Sequence, residues 1–170
     1  MPLTRALLSG MIAAATVSAS VLTMASCTET SSSSTVDVSG AYVATIQWFV
    51  AQVGPNPDPE AEQLTVFVER RGEGTEFDLS MQADVVDKAS GFANVKFIDD
   101  RAEALATDDG ELRWDGILLA LGPAVVSDNG EASIDADLVA ADSSTESWRL
   151  VLRATGDVWV VRDEPIRIAL

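Results

Sequence analysis

From Tyr42 through Val43, Ile46, Phe49, Val50 and Val53, apolar positions recur every three or four residues, the period of one helix stripe. Asp37 and Ser39 stand where such a helix needs a cap, and Gly54 and Pro55 stand where it must stop. Trp48 falls off the stripe. It therefore fills a second interface or serves as an exposed anchor for a partner. Prolines at 55, 57 and 59 remove backbone donors and fix φ, so that stretch is a loop.

Beyond the loop the pattern turns strand-like. Residues 64–69 read as a strand and Gly72-Glu73-Gly74 as a turn. The next stretch carries two signals. Phe77, Leu79, Met81, Ala83 and Val85 alternate with polar residues, as in a strand; residues 81–90, with Lys88 near the end and Gly91 after it, suit a short helix. The expectation is an extended entry and then a helix over 80–90. A strand follows at 95–98, a helical turn at 102–106 and a buried strand at 117–121, closed by Gly122-Pro123. Asp128-Asn129-Gly130 is a strong turn signal. After it, Ala132, Ile134, Ala136, Leu138 and Ala140 alternate as a half-buried strand should. Residues 148–154 and 158–161 form a last pair around Thr155-Gly156-Asp157. With a two-residue loop, Leu150 and Leu152 would oppose Val161 and Trp159.

The fold class expected is α+β: an N-terminal helix and a short βα segment packed on a C-terminal antiparallel strand meander. A long N-terminal helix followed by a strand meander loosely resembles the cone-shaped fold of nuclear transport factor and its bacterial relatives. That fold hosts both enzymes and plain binding modules, so the resemblance implies an architecture and not an activity.

The first residues belong to a different pattern. A start with one positive charge, Arg5, leads into an uncharged stretch over 6–26 rich in Ala, Leu, Val, Ile and Met, with Ala25 and Ser26 before Cys27. Basic start, apolar middle and small-residue exit make a secretory signal. The uncharged run is long enough to cross a bilayer, but Ser9, Gly10, Thr16, Ser18, Ser20 and Thr23 dilute it and favour a removed signal over a retained span. Met24-Ala25-Ser26-Cys27 resembles the lipobox of bacterial lipoproteins, with Met24 where leucine is usual. The resemblance implies acylation of Cys27 and cleavage before it. Two acyl chains anchor a protein stably, whereas one binds marginally. Thr28-Glu29-Thr30-Ser31-Ser32-Ser33-Ser34-Thr35 then reads as a polar tether with a mean reach of roughly 18 Å. The expected organisation is a signal peptide over 1–26, a lipid-anchored tether over 27–38 and one globular domain over 39–170, on the extracytoplasmic face of the cell membrane.

Composition narrows the chemistry. The chain has 11 basic and 27 acidic side chains, a net −16. One base and no acid precede Cys27, which leaves −17 from there onward. Such a surface repels phosphate backbones, which argues against nucleic acid, and repels anionic headgroups, which argues against electrostatic membrane binding. One cysteine permits no internal disulfide. The absence of histidine removes the Ser-His-Asp triad, the His-assisted cysteine nucleophile and the histidine zinc site. No phosphate loop, third fingerprint glycine or Ser-x-x-Lys pair occurs. No cofactor and no metal site is expected; Asp128-Asn129-Gly130-Glu131 has its glycine in the wrong place for an EF-hand.

Carboxylates are the remaining chemistry. Asp99, Asp100, Asp108, Asp109 and Asp128 would have to meet across a cleft to hydrolyse a glycoside, but each sits where a strand end or turn favours Asp. Two functions follow. The favoured one is a non-catalytic, lipid-anchored module that binds an unidentified protein or small ligand, with Trp48 as a candidate contact. The alternative is an envelope hydrolase that works with carboxylates alone.

Overall fold

A computed structural model of the chain describes residues 37–53, 63–106, 111–113, 116–139 and 144–169. Cys27, the tether up to residue 36, the proline-rich loop, Asp108, Asp109 and Trp114 lie outside the described residues. Contacts divide the chain into units 1–34 and 35–170. The second contains α1 (Val38–Val53), β1 (Thr65–Arg70), α2 (Leu79–Ala89), β2 (Asn94–Phe97), a 3-10 turn (Arg101–Glu103), β3 (Ile117–Leu121), β4 (Val125–Val126), β5 (Glu131–Val139), β6 (Thr145–Thr155), β7 (Val158–Val161) and β8 (Ile166–Ile168). The fold is α+β, as the periodicity implies.

Local chemistry sets the helix bounds. α1 begins at Val38, inside the expected tether, because Asp37 caps it: the carboxylate accepts from Ser39 Oγ at 2.6 Å and Gly40 N at 3.3 Å. Its buried face, which includes Ala41, Tyr42, Thr45, Ile46 and Phe49, is rotated from the expected stripe, and Val53 is exposed. α2 settles the ambiguous stretch. Asp78 caps it by accepting from Met81 N at 2.8 Å, Lys88 sits in its last turn, and Val85 and Ala89 are its buried pair. The alternation of Phe77, Leu79 and Met81 has no strand to serve, and Leu79 is exposed.

Among the described residues one mixed sheet of eight strands runs β2-β1-β3-β5-β6-β7, with β4 against β5 and β8 against β6. From β3 onward every pairing is antiparallel, and this is the expected meander. The N-terminal βα segment joins the same sheet in parallel, β1 pairing with β2 (Val66↔Val95) and with β3 (Val66↔Ile117). β3 and the Val66-Phe67-Val68 segment of β1 are continuous apolar runs because both of their faces are covered. On one face Val66, Val68, Leu119, Ile134, Leu150 and Leu152 pack with α1 and α2. On the other, Phe67, Leu118 and Val139 pack beneath Ile98, Ala104 and Leu112. Ala104 and Leu112 belong to a small hairpin held by Arg113 N to Ala104 O and Ala106 N to Glu111 O, both 2.8 Å.

Two long side chains tie α1 to the sheet. The Tyr42 hydroxyl crosses the core, donates to Gly122 O at 3.2 Å and accepts from Ala124 N at 3.0 Å. Trp159 on β7 is 6 % exposed and donates Nε1–H to Asp37 O at 2.8 Å. Gly40 is required beneath that indole, since a Cβ there would stand 2.8 Å from Trp159 Cδ1. The β6–β7 loop has two residues, with Gly156 at φ 62°. Val161 opposes Leu152 and not Leu150, so the register is shifted by two residues from the one expected. Trp159 opposes Ala154, not a leucine, and the small partner leaves its ring free to reach α1.

Trp159→Ala is expected to cost roughly 3–5 kcal/mol, and Tyr42→Phe about 1–3 kcal/mol through the two backbone groups left unpaired. Denaturant melts check both. A cost for Trp159→Ala smaller than that of Trp48→Ala would place the main helix–sheet contact elsewhere.

Candidate functional site

Charge on the antiparallel half of the sheet is consumed internally. On the face of β5 away from the helices, Asp135 accepts two bonds from Arg149 on β6, at 2.7 and 2.9 Å, and lies 3.4 Å from Arg71. Arg71 Nε also donates to Asp137 at 2.8 Å. Glu131 takes Arg153 at 2.9 Å and Arg162 at 2.5 Å. Asp137 and Ser147, opposite one another on β5 and β6, keep Oδ1 and Oγ buried without hydrogen-bond partners among the described residues. A 190 Å³ hollow beside Arg71, Asp135 and Arg149 is already neutralised by these pairs.

Some of the remaining carboxylates lie near α2 and β2. A crevice of 330 Å³ opens at the carboxyl ends of β1 and β2, where α2 begins. Its rim carries Glu76, Asp78, Asp99 and Arg70, and its floor carries Phe77 and Phe97, whose ring centroids lie 5.1 Å apart. Gln82 lines it too, its amide donating to Phe77 O at 2.8 Å. A second hollow of 380 Å³ lies at the other end of β2, lined by Thr65, Val86, Ser90, Asn94 and Val95 with Gln63, which donates to Ser90 O at 2.9 Å. The first crevice offers negative charge over an aromatic floor; the second is uncharged.

The residues singled out from sequence are dispersed. Asp99 is 94 % exposed and 3.9 Å from Arg70. Asp100 caps the 3-10 turn, accepting from Ala102 N at 2.9 Å while Glu103 accepts back from Asp100 N at 3.2 Å. Asp128 lies in the turn before β5, which Gly130 makes at φ 77°. Among the described residues no group of three or more Cys, Asp or Glu side chains is placed to hold a metal ion. Trp48 is half-buried against Phe49 and against Trp148 on β6, centroids 4.9 and 5.6 Å away, with Arg167 stacked 5.7 Å over Trp148. Sequence reasoning missed the stripe Asp78, Gln82, Val86 and Ser90. Its four-residue spacing is visible in the sequence, but three polar members make it look like a solvated helix face.

No family model, no curated protein and no solved structure matches this chain.

Ion pairing makes the domain acid-sensitive. The Arg149 guanidinium holds the Asp135 carboxyl below its usual range, and Lys88, at 2.6 Å, does the same for Asp37. A lowered folded-state pKa contributes stability above the ordinary value of 3.8 and loses it as pH falls through the lower folded value. Between about pH 4 and pH 2, urea midpoints of the unaltered protein should fall more than those of Asp135→Asn. Relief of net repulsion on acidification is common to both proteins and drops out of the comparison. Parallel curves would mean that Asp135 contributes nothing through its charge.

Proposed function

We propose that this chain is an exported lipoprotein, held on the outer face of a membrane through acylated Cys27, whose domain is a non-catalytic binding module. The observation that carries the reading is an agreement of boundaries. The first helix of the domain begins at Val38, just past the Ser/Thr-rich run that ends at Thr35, and that run follows the Met24-Ala25-Ser26-Cys27 pattern directly. Clamping of Asp37 by Trp159, Lys88 and Gly40 gives a tether a fixed point of attachment. Nearby carboxylates favour binding over hydrolysis: Asp100 serves the backbone, Asp135 and Asp137 serve arginines, and Asp99 stands in water.

Cys27→Ala should shift the protein from the membrane fraction to the medium or to an uncleaved precursor. Intact mass of the unaltered mature protein should show an acylated residue 27 at its N-terminus. A mature N-terminus elsewhere without lipid mass would overturn the anchor.

A further inference from the structure

The two hollows flanking β2 share one wall. Asp78 and Gln82 line the first, Val86 and Ser90 the second, and at four-residue spacing all four lie on one stripe of α2 and its caps. Phe97 and Val95 supply the opposite wall. The hollows are thus the two ends of a groove that follows β2 along its length.

β2 is the last strand of the sheet on its side, with β1 as its partner. Asn94 N donates to Leu64 O and Ile98 N to Val68 O, both 2.9 Å. Strand alternation then turns the amides and carbonyls of Val95 and Phe97 away from β1, toward the side where no strand follows among the described residues. Such a row is a template for another strand. β2 contains no proline, and Val86, the apolar member of the α2 stripe, is 41 % exposed beside it.

We propose that an extended polypeptide segment docks in this groove and adds to the edge of β2 as a further strand, with a lysine or arginine over Glu76, Asp78 and Asp99. This deepens the binding-module reading above and rests on it. Main-chain bonds to Val95 and Phe97 supply affinity, and the hollows at either end select alternate side chains. Charge selects among occupants. Three carboxylates against one arginine call for a basic group at the first crevice, and a net −17 attracts basic segments while it opposes pairing with a second copy of this chain.

The test pans a displayed library of short random peptides on the full-length protein in detergent. Selected peptides should alternate apolar and polar residues and carry Lys or Arg at one end. Val86→Lys, at a position 41 % exposed, should weaken them at least tenfold without changing the thermal melt. Glu76→Gln with Asp99→Asn should weaken them while sparing analogues in which the basic residue is replaced by Gln. N-methylation of the peptide amides that face Val95 and Phe97 should abolish binding. Selected peptides indifferent to Val86→Lys or to N-methylation would overturn the proposal. So would an empty selection, or a concentration-dependent dimer that Val86→Lys dissolves. Each of those results leaves the anchor at Cys27 standing, since fractionation tests it separately.

Discussion

The burial of β1 and β3 on both faces is the constraint from which the rest of this structure follows. Val66, Val68 and Leu119 need cover on one side, Phe67 and Leu118 on the other. A solvated sheet face cannot hold them, because each large apolar side chain left in water forfeits roughly 1.5–3 kcal/mol. α1 and α2 cover one side, and the hairpin carrying Ala104 and Leu112 covers the other. Once α2 serves as the crossover from β1 to a parallel β2, it must lie alongside β2. The open edge and the groove beside it are consequences of covering the core.

Charge is arranged around that core with little waste. At least eight of the ten bases that follow Cys27 are ion-paired among the described residues, several on the open face of the antiparallel half. Exposed pairs of this kind contribute little stability individually, about 0–1 kcal/mol. Their consequence is spatial: with the bases engaged, the excess of carboxylate is left uncompensated elsewhere, Glu76 and Asp78 at the mouth of the first crevice among them. A domain this acidic presents its arginines already neutralised and its carboxylates available.

Much of the fold was legible in the sequence because periodicity reports which side of an element is covered. Alternation from Ala132 to Leu138 gave β5, and the apolar run at 117–121 gave β3. Parallel pairing was not legible: a continuous apolar run says that both faces are covered but not which distant strand lies beside it. β4 and β8, of two and three residues, are too short to carry a period. The α1 stripe was misjudged by part of a turn because Ala41, Ala44 and Thr45 pack close to the sheet, where small side chains let the helix approach, whereas Val53 lies at its exposed end. The docking groove left only a faint trace, since what defines it is main chain: the outward groups of Val95 and Phe97 belong to no residue type.

That edge is the central claim, and backbone amide hydrogen exchange on the free protein reads it directly. The account predicts alternating protection along β2, with Asn94 and Ile98 slow because they donate to Leu64 and Val68, and Val95 and Phe97 fast because they face the side where no strand follows among the described residues. The doubly buried strands should hold the slowest amides of all, at Phe67 and Leu119. Equal, strong protection of Val95 and Phe97 in the absence of any partner would contradict the account, because it would mean that the edge of β2 is already covered.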